Sequence, residues 1–184
     1  MRIQDGTGSG RSASVDQDNR LEVSAVTQHQ EHIVNRDSGH AWSYTFDGID
    51  PTGAEDTFFY FKNLDTQIMY NLADISIAST VAGRLRVNIV SGTASGGSSM
   101  TAVPRKTNSV SIPNATVESG ADITGLTIDG TALILTLEAN VMIQYPILSR
   151  IVVSPGQAIA FDWSEATGVL YGSALMYQCS CEFN

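Results

Sequence analysis

The sequence predicts an all-β protein: one β-sandwich of about nine strands, of jelly-roll type, preceded by an extended N-terminal arm. Three observations predict it. Apolar residues recur with a period of two from Trp42 almost to the last residue, which is the pattern of strands with one face buried. Glycine and proline turn signals interrupt that pattern at roughly even spacing. Composition also breaks at Trp42: residues 1–40 hold 10 apolar residues and none of the 14 aromatics, too little to offset the entropy of ordering them as a separate domain.

A chain of 184 residues can bury one substantial core and is short for two. The division is therefore an arm over residues 1–40 and a sandwich over residues 41–184. Within the arm, Asp5-Gly6-Thr7-Gly8-Ser9-Gly10 is a flexible Gly/Ser stretch. Arg20-Leu21-Glu22-Val23-Ser24-Ala25 alternates like a short strand; alone it would be unstable, so it needs a partner from the body or a neighbouring subunit.

The body elements follow in order. Trp42, Tyr44 and Phe46 alternate with Ser43 and Thr45, and Phe58-Phe59-Tyr60-Phe61 is an aromatic run between Thr57 and Lys62. A run apolar at every position reads as a core strand buried on both faces, in preference to an exposed sugar-stacking platform. Residues 68–79 come next, then Leu85, Val87 and Ile89 alternating with Arg84, Arg86 and Asn88. Residues 115–123 follow, then Leu133, Leu135 and Leu137, and then residues 147–153. Ile159, Phe161 and Trp163 form the penultimate strand, and Leu175, Tyr177, Cys179, Cys181 and Phe183 the last. Turn signals fall at residues 47–53, Ala82-Gly83, Asp129-Gly130, Ser154-Pro155-Gly156 and Thr167-Gly168. The longest irregular connection is expected over residues 91–109, a length that in a compact domain usually serves function. No segment shows a helical period, and no internal repeat is visible.

Charge narrows the partners. The net charge is −9, from 10 basic and 19 acidic residues; after Lys106 the only basic residue is Arg150, against seven carboxylates. Such a surface repels phosphate backbones, so direct nucleic-acid binding is not expected and a protein partner is. No apolar run approaches the ~20 residues of a membrane span, and the first residues carry no signal-peptide pattern.

No constellation supports catalysis or metal binding. His29, Glu31 and His32 lack the spacing of a paired-histidine motif, and His40 adds no fourth ligand. Asp16-Gln17-Asp18-Asn19 resembles the opening of a calcium loop, but Leu21 and Thr27 stand where that loop needs glycine and glutamate. There is no Gly-x-Ser-x-Gly elbow and no phosphate-binding loop before a helix. Asp162 and Glu165 read as surface acids at a strand end. Cys179 and Cys181 share one strand face, where a mutual disulfide would bend the backbone, so both read as buried thiols. Tyr44, Tyr70 and Tyr171 are candidates for ligand contact if exposed. An enzyme is not expected, nor any cofactor.

Two stretches carry a family resemblance. Asp5-Gly6-Thr7-Gly8-Ser9-Gly10, then Ser14-Val15-Asp16 and Asn19-Arg20-Leu21-Glu22-Val23, resemble an arm found on phage head and tail accessory proteins. The body adds the Thr93-Ala94-Ser95-Gly96-Gly97 loop, Ile123-Thr124-Gly125-Leu126, and Val153-Ser154-Pro155-Gly156-Gln157-Ala158-Ile159-Ala160. Together these are similar to the minor virion proteins of tailed bacteriophages. One departure is the loop's common Pro-x-Asn-x-Asn ending, which here reads Pro104-Arg105-Lys106-Thr107-Asn108.

The resemblance implies a capsid decoration (cement) or head-fibre-base protein, made in the host cytoplasm and placed on the capsid surface of the virion. Its partner would be the major capsid protein or another virion protein, and the body would form a homo-oligomer, trimer or dimer. Docking would run through the arm, by strand addition and backbone hydrogen bonds, with Asp5, Gly6, Val15, Asp16, Arg20, Leu21 and Val23 as contact residues. The alternative is a tail or fibre accessory module for host or carbohydrate recognition.

Overall fold

In the computed structural model the described residues are 2–4, 12–14 and 30–179, with side chains described over 34–147 and 151–179. The arm contributes β1 (Arg2–Gln4), β2 (Ser12–Ser14) and α1 (Gln30–Asp37). The body follows with β3 (Ala41–Ile49), β4 (Asp56–Asn63), β5 (Met69–Ser79), β6 (Gly83–Ser95), β7 (Ser98–Ser99) and β8 (Val103–Pro104). It ends with β9 (Ala115–Ser119), β10 (Thr124–Leu137), β11 (Ile143–Val153), β12 (Ala158–Trp163) and β13 (Leu170–Cys179). β1 and β2 pair with each other, antiparallel.

The body strands form two antiparallel sheets, ordered β10-β6-β12-β4-β9-β7 and β11-β5-β13-β3-β8. One apolar core joins them, drawing Leu85, Val87, Phe59, Phe61, Ile159, Phe161 and Trp163 from the first sheet and Trp42, Tyr44, Phe46, Leu72, Ile75 and Met176 from the second. Its centre is aromatic. Tyr44 lies 6.2 Å from Phe59 and 6.0 Å from Phe61, Phe46 lies 5.4 Å from Phe58, and Phe59 lies 4.7 Å from Phe161, all tilted or edge-on. Such pairs add roughly 0.5–1.5 kcal/mol each beyond the area they bury.

The period-two reading is borne out at Trp42, Tyr44 and Phe46 and at Ile159, Phe161 and Trp163, and so is the burial of the aromatic run Phe58, Phe59, Tyr60 and Phe61; in β6 it breaks after Val87, where Ile89 is 43% exposed and Val90 is buried instead. A register shift in the β12–β4 ladder, between Phe161 and Asp162, lets Phe58 as well as Phe59 turn inward. Tyr60 points the other way, into a second small cluster with Val90, Ile123, Ala158 and Ala160. The sheet order explains that cluster. β6 and β7 stand four strand spacings apart, about 19 Å in a flat sheet, yet the three steps from Ser95 to Ser98 reach at most about 11 Å. The sheet must therefore curl at this end, and the outer face of β4 and β12 becomes the inside of the curl.

Several expectations need correction. The body holds eleven strands among the described residues where about nine were expected; the excess is β7 and β8, two residues each. Much of the expected 91–109 loop belongs to the sheets, because Gly92 and Gly125 adopt φ of 99° and 79° and each backbone approaches so closely that a Cβ on either would strike a carbonyl oxygen of the other strand. Asp129-Gly130 is no turn: it lies inside β10, where the ladder shifts register between Ile128 and Gly130. Gly serves a bulge as readily as a turn. A helix is present, over Gln30–Asp37, too short for its two adjacent apolar residues, Ile33 and Val34, to display a period. Asp162 is not a surface acid but a buried member of β12, 1% exposed, whereas Glu165 is exposed. In β13 the core takes Leu170, Ala174 and Met176, while Tyr177 and Cys179 are buried outside that cluster.

Candidate attachment site at the root of the arm

Helix α1 lies against β13 and β3. Eight residues are too few for a helix to persist by itself, so its stability comes from this packing and from its C-terminal cap. The amides of Ser38 and Gly39 both donate to the Val34 carbonyl, at 3.1 Å each, and the Ser38 hydroxyl donates to it at 2.8 Å. Gly39 ends the helix with φ 69°, a left-handed turn that glycine adopts without strain. Nothing larger fits, since a Cβ there would sit 2.6 Å from Ser109 Oγ.

That serine belongs to the segment 105–114, which is fastened at successive points to the root of the arm and to strands β3 and β5 beside it. The Arg105 amide donates to Ala41 O at 2.9 Å, Lys106 Nζ donates to Arg36 O at 3.0 Å, and Ser109 Oγ donates to Gly39 O at 3.2 Å. Trp42 Nε1 donates to Ser111 O at 2.9 Å, and the Asn114 amide donates to the Tyr70 hydroxyl at 3.0 Å. Lys106 places its cation where the helix dipole is negative. The adjacent Arg36–Asp37 pair, 2.7 Å apart, raises the one pKa and lowers the other chiefly through their hydrogen bond; both side chains are exposed, where such pairs contribute little. His40 stacks on the Trp42 ring, 6.0 Å away and 13° from parallel. These residues line an open hollow of about 470 Å³, formed by Ser38, His40, Lys106, Asn108, Ser109 and Ser111.

The residues expected to dock the arm, Asp5, Gly6, Val15, Asp16, Arg20, Leu21 and Val23, lie outside the described residues, as do the alternating stretch 20–25, His29, the stretch 16–19 and Cys181. Glu31 and His32 fall within α1, where only the backbone is described. Among the described residues no three His, Cys, Asp or Glu side chains gather as a metal site, and no helix is long and apolar enough to cross a membrane. Of the three tyrosines, Tyr44 and Tyr70 are buried and Tyr171 is 40% exposed.

Two polar features were not legible in the sequence. Asp162 accepts from Thr57 Oγ1 at 2.6 Å and from Asn88 Nδ2 at 2.5 Å, and Thr131 donates to Asn88 Oδ1 at 2.7 Å. Burial pushes the Asp162 carboxyl above the usual carboxylate range, against the opposing pull of those two donors and of Arg86; Arg86 itself pairs with Glu55. The second feature is Tyr44. Its hydroxyl is buried and has no hydrogen-bond partner among the described residues, and burial pushes its pKa upward. It borders a cavity of about 180 Å³ otherwise lined by Met100, Thr101, Ala102, Ile112, Pro113, Ala115 and Val117. Compared with protein-family models, curated proteins and solved structures, the chain finds no match in any of the three.

Proposed function

We propose that this chain is a structural virion protein of a tailed bacteriophage, which attaches to the capsid through its N-terminal arm and stabilises or decorates it. The observation that carries the reading is the fastened root of the arm: α1 and Gly39 are held to the body by Lys106, Ser109 and Arg105. An arm that only trailed from the body would need no such fastening, whereas an arm that tethers a domain to a surface must pass its load to the core. Composition supports the same division, since the segment poorest in apolar residues precedes this junction and the aromatic core follows it. A particle-bound arm would stabilise the particle by mass action, binding the assembled state in preference to the dissociated one.

The body reads as a jelly roll, a fold frequent in capsid proteins. What supports this is the order of the eight long strands. Taking β3, β4, β5, β6, β10, β11, β12 and β13 in turn, the first, third, sixth and eighth share one sheet, in the order β3-β13-β5-β11. The second, fourth, fifth and seventh share the other, in the order β4-β12-β6-β10. Every successive connection but one, β6 to β10, thus crosses between the sheets, in the manner of two interleaved Greek keys.

Deleting residues 1–27 tests the reading. Binding of the purified chain to particles lacking it should be lost, while the melting of the body stays unchanged; undiminished binding of the deletion variant would overturn the anchoring role.

A further inference from the structure

A pocket of about 240 Å³ is lined from both sheets, by Ile89, Ala132 and Ile159 of the first and Ile151 and Val153 of the second, with Gln157. Ile151, Val153 and Ile159 belong to the main core, so the pocket has core residues for a floor. One glycine accounts for the opening. Ile89 pairs with Ile159 on β12 and therefore faces the core side, yet it is 43% exposed. Opposite it on the edge strand β10 stands Gly130, which has no side chain to lay over it. Both edge strands are irregular here: β10 shifts register on either side of the Gly130–Thr131 pair, and β11 between Pro146 and Ile151. A Cβ on Gly130 would meet nothing within 4 Å, so the space beside Ile89 is open.

We propose that this pocket binds the alkyl chain of a small uncharged amphiphile, a medium-chain alcohol being the simplest of its class. Its volume is roughly that of eight water molecules in the liquid, room for a chain of about eight carbons. Every lining residue but Gln157 is aliphatic, so water inside lacks the polar partners it needs, whereas each methylene brought in leaves solvent. No lining residue is ionisable, and the chain carries a net charge of −9. Both facts select an uncharged head over a carboxylate. Gln157, the one polar side chain of the lining, is exposed and so stands at the mouth, where its amide can exchange hydrogen bonds with a hydroxyl. The inference does not rest on the virion reading.

The test is a titration of the methyl-labelled full chain with octan-1-ol, followed by carbon–proton NMR. The methyls of Ile89, Ile151 and Ile159 should shift together and saturate at one alcohol per chain. Those of Leu170 should stay put, because Leu170 pairs with Ser79 at the end of β5 opposite Tyr70, where Val153 pairs. Shifts that never saturate, or that spread to Leu170, would overturn the proposal. From butan-1-ol to octan-1-ol the dissociation constant should fall about fourfold per methylene, and octanoate should bind at least about tenfold more weakly than octan-1-ol. A flat series would overturn the alkyl pocket, and equal binding of octanoate the uncharged head. Gly130→Leu puts a side chain beside Ile89 and should abolish octanol binding with the fold kept by circular dichroism; a folded variant that binds as the wild type does would sink the proposal. Should leucine unfold the chain, Gly130→Ala decides in its place: it should weaken binding about fourfold, the worth of one methylene, and an unchanged constant counts against the pocket. Phosphatidylcholine vesicles separate a free amphiphile from a membrane lipid. The chain should stay in the supernatant on sedimentation, and pelleting with the vesicles would overturn the small-ligand assignment.

Discussion

Asp162 is the residue whose chemistry differs most from its appearance in the sequence. Its carboxylate is held by Thr57 and Asn88 in the outer layer of the sheet, yet burial dominates and its pKa is raised. The sign of the linkage follows. A carboxyl with a higher pKa folded than unfolded stabilises the fold fully below the ordinary carboxylate range, and that contribution is lost as pH rises through the raised value. Urea midpoints of the wild type and Asp162→Asn, measured from pH 4 to pH 7, should therefore show the wild type losing stability relative to the variant as pH rises. A difference growing the other way would mean that the two hydrogen bonds outweigh burial. No pattern in the sequence announces this residue: in Ala158-Ile159-Ala160-Phe161-Asp162-Trp163 the alternate small and acidic positions read as a solvent face, and only the curl that brings Ile123 and Tyr60 over them makes that face interior.

At the scale of elements, the long strands were legible because their core faces carry large side chains at every second position, as in Trp42, Tyr44 and Phe46 or Ile159, Phe161 and Trp163. Helix α1 was not, because it is held by contacts that exist only after folding: Lys106 lies 70 residues from the Arg36 carbonyl it caps, and Ser109 lies 70 from Gly39. Removing one such contact, in Lys106→Ala, should cost about 1 kcal/mol and speed amide exchange in residues 34–39 roughly fivefold. Exchange in β12 should stay as it was. Gly39→Ala should cost more, since it adds backbone strain at positive φ to the clash with Ser109. Equal exchange in wild type and Lys106→Ala would show that packing on β3 and β13 alone holds the helix.

For the whole molecule, the all-β class could be read from the period of the apolar residues, whereas the pairing of strands could not. Nothing in a strand's own residues says that β12 lies between β4 and β6, or that the second sheet runs β11-β5-β13-β3. The candidate site was legible only as a composition break. Its working parts, the capped helix and the clamp of residues 105–114, come from opposite sides of six strands.

The placement of β13 has a consequence for how the chain is made. It is the last strand described, and it sits between β5 and β3, pairing with both along nearly its whole length. Until residue 179 has left the ribosome, β3 and β5 have no common neighbour, and each presents an unpaired edge. Folding must wait for synthesis, and contacts between Ala41 and Tyr177 close loops long enough to make the process slow. Refolding from denaturant should fall in the range of milliseconds to seconds or slower. A nascent chain halted before β13 would be at its most aggregation-prone, so a cell making the chain would gain from keeping the interval between the end of β12 and the end of β13 short.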